Sequence, residues 1–164
     1  MEATGQSMQL DLGHWLLRLI AVIIDGIIIG IVSWILWAFL FVAVVFTGGL
    51  AYLALGWAYW FIFAFGWGIL WLIYSVVLES AWNATLGKRI LGLKVQTTSG
   101  GKAPIDKLFI RNISKIIPPL VILDWLVGIV TPGDRRQKYS DRIAGTVVVQ
   151  TSQVISMPPP PPSQ

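Results

Sequence analysis

From Gly26 to Leu78 the chain runs 53 residues without a charged side chain or a histidine. A soluble helix or strand must show one face to water, so no soluble domain of this size has a use for such a run. A hydrocarbon layer ~30 Å thick is crossed by ~20 apolar residues in helix. The run is too long for one crossing and suits two, with Thr47-Gly48-Gly49 as the turn. The chain therefore reads as an integral membrane protein. Its charged fraction, 12%, is about half the roughly 25% of soluble domains.

The polar residues are unevenly placed. Residues 1–11 form a polar lead with Glu2 and Asp11 and no Lys or Arg, which argues against a cleaved signal peptide. Eleven of the twelve Lys and Arg follow residue 87, and Arg18 is the exception. Basic loops stay on the cytoplasmic side and favour anionic headgroups. The expected arrangement is a hairpin of helices at about 15–46 and 50–78 in the cytoplasmic (inner) membrane. Both termini would then be cytoplasmic and the 47–49 turn external. Several of the nine Trp, among them Trp15, Trp57, Trp82 and Trp125, fall near span ends, where indoles settle at headgroup level. The basic clusters lack interleaved aromatics, so nucleic acid is not an expected partner.

A third hydrophobic stretch, Leu108 to Val130, contains Arg111, Lys115 and Asp124, with Pro118-Pro119 in its centre. Two prolines remove two amide donors and break a helix. The stretch is read as two short helices, about 105–117 and 120–130, interfacial or re-entrant. A complete third span is the alternative. Ile90, Leu91, Leu93 and Val95, before the turn signal Thr97-Thr98-Ser99-Gly100-Gly101, suggest a strand, either one arm of a ragged local hairpin or the partner of a later strand. Gly145 to Val149 is β-branched enough to supply that second strand, provided both lie on one side of the membrane. The fold class is thus all-α membrane: two transmembrane helices as a hairpin, a Pro-broken third segment and a small cytoplasmic β element. Residues 151–164 end in a proline run and are expected to be disordered.

Asp25 is the leading candidate site residue. An ionised carboxylate in hydrocarbon costs ~2.5–3.5 kcal/mol on the translocon scale, so it needs a basic partner, water or a bound cation. Arg18 shares its helix face but lies ~10 Å away along the axis. Arg111 or Lys115 of the third stretch are better placed to pair with it. Two readings stand open, a structural ion pair and a cation or proton site. Gly26 and Gly30, and Ala64 and Gly68, have the spacing that lets helices approach closely. His14 is expected at the interface and Glu79 at a helix end among headgroups. Asp124 is flanked by apolar residues and would be water-exposed in an interfacial segment. With no cysteine, no HExxH, no GxSxG and no Walker loop, neither catalysis, a cofactor nor a metal centre is expected.

Three blocks resemble the RDD family of small membrane proteins, named for one arginine and two aspartates. They are Arg18 to Asp25, Thr85-Leu86-Gly87-Lys88-Arg89 through Val95, and Arg135-Arg136-Gln137 with Asp141-Arg142-Ile143-Ala144-Gly145-Thr146. Arg111-Asn112 stands where that family often has the same pair. The resemblance spans about residues 12–150 and assigns its named residues to Arg18, Asp25 and Asp141. One departure is Ser140, where the family often has histidine, which leaves no His-Asp pair for a proton shuttle. The resemblance implies transport of ions or small solutes, such as cation/proton exchange. Asp141 reads as a carboxylate neutralised by Arg135, Arg136 and Arg142, able also to approach Arg18. So short a chain would need a homo-oligomer to enclose a path. The alternative is a non-transporting accessory or scaffold subunit of a larger membrane complex.

Overall fold

The computed structural model describes residues 12–47, 49–134 and 136–151. The expected polar lead at 1–11, Arg135 and all but the first residue of the expected disordered tail lie outside them. Two long antiparallel helices dominate, α1 (Leu12–Phe46) and α2 (Leu50–Trp82). Both are long and apolar enough to cross a membrane. Their buried and exposed faces reverse the usual order. On α1 the buried stripe is His14, Trp15, Arg18, Ala21, Asp25, Ile29 and Ser33, at helical spacings of three and four. Leu16, Ile23, Ile27 and Ile31 face outward. Beyond Ser33 no residue of α1 is buried. The hairpin is therefore wrapped by the rest of the chain at one end only.

That end is built from short pieces. Asn83 closes α2 in the left-handed conformation (φ 57°), its amide bonded to the Glu79 carbonyl. There follow α3 (Leu86–Ile90), β1 (Leu93–Thr97), α4 (Ile105–Asn112), a 3-10 turn (Ile113–Ile116), α5 (Pro118–Val130), α6 (Tyr139–Ala144) and β2 (Thr146–Gln150). The ragged local hairpin is absent, because β1 pairs antiparallel with β2, Val95 opposite Val148. Leu93, Val95 and Val148 pack with Ala21, Ala103 and Leu108 in a small apolar core. Cross-strand packing of β-branched side chains favours this partner over a local hairpin with few apolar residues to bury.

Several boundaries move, α1 beginning at Leu12 where about 15 was expected and α4 giving way to the 3-10 turn after Asn112. The second helix runs four residues past 78, because Glu79 is buried and paired and so need not end it. Ile117 is extended (φ −122°, ψ 110°), as a residue before proline prefers. Pro118 and Pro119 open α5 at its first two positions, where their missing amides cost nothing. The two arms of the third stretch meet at a bend of 117°.

Close approaches follow the small-residue spacings in the sequence at Gly68 and not at Gly26 or Gly30. A Cβ on Gly30 would meet nothing within 4 Å, and one on Gly26 would make ordinary contact with Trp71. A Cβ on Gly87 would sit 2.3 Å from the Ala21 carbonyl oxygen, and one on Gly68 1.9 Å from that of Ile116. These two glycines let α3 rest on α1 and the 3-10 turn rest on α2. Gly87→Ala is expected to destabilise the detergent-solubilised protein by about 1–3 kcal/mol, an overpacking cost. Gly30→Ala should stay within about 0.5 kcal/mol of the parent. Thermal unfolding followed by size-exclusion chromatography checks both.

Candidate functional site

The buried polar side chains converge where α1, α2, α3, α4, α5 and α6 meet. Asp25 on α1 is held by neutral donors. Its Oδ1 accepts from the Gly87 amide and the Tyr74 hydroxyl, both at 2.8 Å, and its Oδ2 from the Thr85 hydroxyl at 2.5 Å. The close seat of Gly87 on α1 delivers that amide. The expected pairing of Asp25 with Arg111 or Lys115 does not form. Arg111 is engaged by other carboxylates, and Lys115 donates to the Ser75 hydroxyl at 2.5 Å while lying over the Trp71 ring.

Arg111 is the hub. Its Nη2 lies 3.1 Å from Asp141 Oδ1, and its Nε lies 3.7 Å from Glu79 Oε2. Asp141 takes a second cation, Arg18 Nη2, at 2.7 Å, and Arg18 Nη1 donates to the Arg136 carbonyl at 2.6 Å. The chain thus ties its head to its end across 123 residues. Asp141 is neutralised by arginines from α1 and α4. Its chain neighbour Arg142 instead donates to the Gly128, Thr131 and Asp134 carbonyls, satisfying the end of α5.

Several residues sit differently from the sequence expectation. Glu79 is fully buried and takes Lys88 and the Asn112 amide, 2.8 Å away. Three partners from α3 and α4 outweigh the headgroup layer as its environment. His14 is buried too. Trp15 packs edge-on against Trp125 at 5.0 Å, with Arg18 5.1 Å and 5.7 Å from the two rings. A charged guanidinium gains from two aromatic faces out of water, which holds the Trp15 indole inside and leaves Trp125 half-buried. Asp124 is buried, accepting from Lys138 at 2.6 Å, from the Ser140 amide and hydroxyl at 2.6 and 2.8 Å, and from Ser114 at 3.0 Å. Ser140 therefore serves as an anchor between α6 and α5.

Glu79, Lys88, Lys138, Thr85 and Tyr74 belong to this site, and none of them is among the candidate site residues read from the sequence. Thr85, Gly87 and Lys88 carried a signal, since they stand together in one of the three quoted blocks. Glu79 carried a weaker one as the first charge after the neutral run. Lys138 and Tyr74 carried none, because only the fold brings them across.

Burial by itself would push the Asp141 carboxyl upward, but Arg111, Arg18 and Lys138 outweigh it and hold it below the usual carboxylate range. Burial pushes the Lys88 and Lys138 ammonium groups down, against the raising pull of their acidic partners. A carboxylate with a depressed folded pKa contributes stability that is complete above its unfolded value and is lost as pH falls through the folded one. The unfolding midpoint should therefore drop as pH is lowered below about 4. Removing one partner of a buried ion pair leaves an uncompensated charge, at about 3–5 kcal/mol. Asp141→Asn is expected to cost that much at neutral pH and to flatten the acid limb, whereas Asp106→Asn on the exposed start of α4 should do neither. Thermal melts at a series of pH values measure both effects.

A family model described as the RDD family matches residues 12–145, a span that contains Arg18, Asp25, Arg111 and Asp141. No curated protein and no solved structure matches the chain.

Proposed function

The chain belongs to the RDD family, and from that premise we propose that it handles ions or small solutes at the cytoplasmic membrane as a homo-oligomer. Cation/proton exchange is the favoured reaction and Asp25 the exchanging group. One observation carries the reading. Among the described buried acids, Glu79, Asp124 and Asp141 each face a cation within ion-pair distance, and Asp25 does not. Its partners are two hydroxyls and an amide. A carboxylate beside two hydroxyl oxygens is a set of hard oxygen donors that suits a proton or a small hard cation. Arg18, Arg111 and Asp141, joined in ion pairs, shape the field around it.

In this reading both termini are cytoplasmic and α4 and α5 form a re-entrant pair. The pairing of β1 with β2 supports it, because the segments before α4 and after α5 then lie on one side. Length supports it as well. Gly26 to Phe46 is 21 residues, about 32 Å of helix, close to the ~30 Å of hydrocarbon. Asp25 would stand at the inner edge of the hydrocarbon with the charged cluster beneath it. The exposed apolar faces of α4, the 3-10 turn and α5, including Ile110, Ile113, Leu123 and Leu126, suit the acyl chains of the inner leaflet. The basic loops would face anionic headgroups.

The second reading, an accessory subunit in a larger complex, draws on the closure of the other acids into ion pairs, a pattern that also serves to lock helices. Asp25→Asn separates the two. In proteoliposomes containing this protein alone, the substitution is expected to abolish cation-dependent proton flux while leaving the unfolding midpoint within a few degrees. Unchanged flux removes Asp25 from the mechanism. Absence of flux in the parent, with recovery of a stoichiometric foreign partner from native membranes, favours the accessory role. For the topology, a reporter fused after Gln150 and one inserted at Gly100 should both report cytoplasmic placement. Opposite answers would make the bent pair a full span.

A further inference from the structure

We infer that the buried cluster contains a resident binding site for one small anion, of the size and charge of chloride. The inference begins with a charge imbalance. Arg18, Lys88, Arg111, Lys115 and Lys138 are buried together with Asp25, Glu79, Asp124 and Asp141. With His14 neutral, the cations exceed the acids by one. Three of the acids are matched to Lys88, Lys138 and the two arginines, whereas among the described residues Lys115 has the Ser75 hydroxyl and the face of Trp71 and no carboxylate within ion-pair distance. An uncompensated ammonium out of water is expensive, so the cluster calls for one more negative charge.

A place for it exists. Arg18, Asp25, Lys88, Arg111, Lys115 and Lys138 line a cavity of about 20 Å³, closed on its apolar side by Val121 and Trp125. A cavity needs roughly 10–15 Å³ to hold one water-sized occupant. A monoatomic anion fits, and phosphate or a carboxylate does not. All five surplus-bearing cations are on its wall. Arg111 is 1% exposed and its Nη1 and Nε have no hydrogen-bond acceptor. Guanidinium N–H groups are donors only, so the missing partner must be an acceptor. Asp25 also lines the cavity, but both its oxygens are occupied by Tyr74, Thr85 and Gly87. The anion therefore meets cations in the main. This site stands independently of transport and would hold in either reading of function.

The test uses the full chain in a neutral detergent, with thermal unfolding followed by tryptophan fluorescence. Sodium chloride is titrated into sodium gluconate at constant ionic strength. The midpoint should rise saturably by about 4 °C or more, as expected for a ligand that binds only the folded state. Bromide should substitute, and gluconate is too large to enter. Lys115→Met removes the surplus cation and should abolish the chloride response, while Lys115→Arg should keep it. Should Lys115→Met fail to fold, Val121→Leu, which fills the cavity with an added methylene, should abolish the response instead. Equal midpoints in chloride and gluconate would overturn the inference, leaving a water and a neutral Lys115 in the cavity. A chloride response unchanged in both Lys115→Met and Val121→Leu would overturn it too.

Discussion

The Arg111 guanidinium, set between Glu79 of α2 and Asp141 of α6, is the contact on which the packed end of the molecule depends. Through Asp141 it reaches Arg18 of α1, and through Glu79 it reaches Lys88 of α3. Through its backbone carbonyl it accepts from Lys138 at 2.6 Å and from Ser140 at 2.9 Å. Five elements thereby meet at one residue. In water such a network would add little net stability, since desolvation offsets attraction. With an apolar surround the comparison changes. Apolar side chains gain little by leaving lipid for a protein interior, so van der Waals packing and buried polar contacts hold helices together. The hairpin accordingly turns many of its Leu, Ile and Trp side chains outward and keeps Arg18, Asp25 and Glu79 within.

This inversion explains what could and could not be read from the residues. The two long helices, their hairpin, the break at Pro118 and the two strands were legible, because each follows from local chemistry: a long neutral run, two missing amides, a β-branched patch; the short α3 and α6 were not, having too few residues to show a period. The proximity of Arg18 and Asp141 was legible only through the resemblance. The partners of Asp25 were not. Pairing an intramembrane acid with the nearest unassigned base is reasonable where charges are scarce. Here five buried bases compete, and Arg111 is taken by Glu79 and Asp141. Which acid meets which base is decided by helix rotation and by the seat of Gly87 on Ala21, a tertiary fact with no periodicity to betray it. Gly26 and Gly30 misled for a related reason. Spacing marks where a backbone can approach, and only the neighbour decides whether it does.

The two halves of the hairpin impose different demands on any mechanism. The wrapped half carries every buried charge among the described residues, and Asp25 is its last carboxylate toward the turn. Past Ser33, α1 offers side chains that are all apolar until Thr47. Beyond Ser33, a proton or cation released from Asp25 toward the turn would thus meet about 20 Å of helix with no polar group on α1 to receive it. A single protomer can exchange with water on the charged side and cannot pass an ion onward. Transport requires a second surface to complete the outer half, and a groove lined by Leu36, Trp37, Leu40, Ile62, Gly66 and Ile69 runs along that stretch. A copy of the chain packed there could bring no charge either, because its own neutral run is the same. Any conducting path in a homo-oligomer must therefore be a narrow, water-filled gap between hairpins, opened by their relative movement. An accessory subunit would meet no such requirement, since its neutral half need only match the apolar flank of a partner. The outer half of the hairpin is therefore where the two functional readings part.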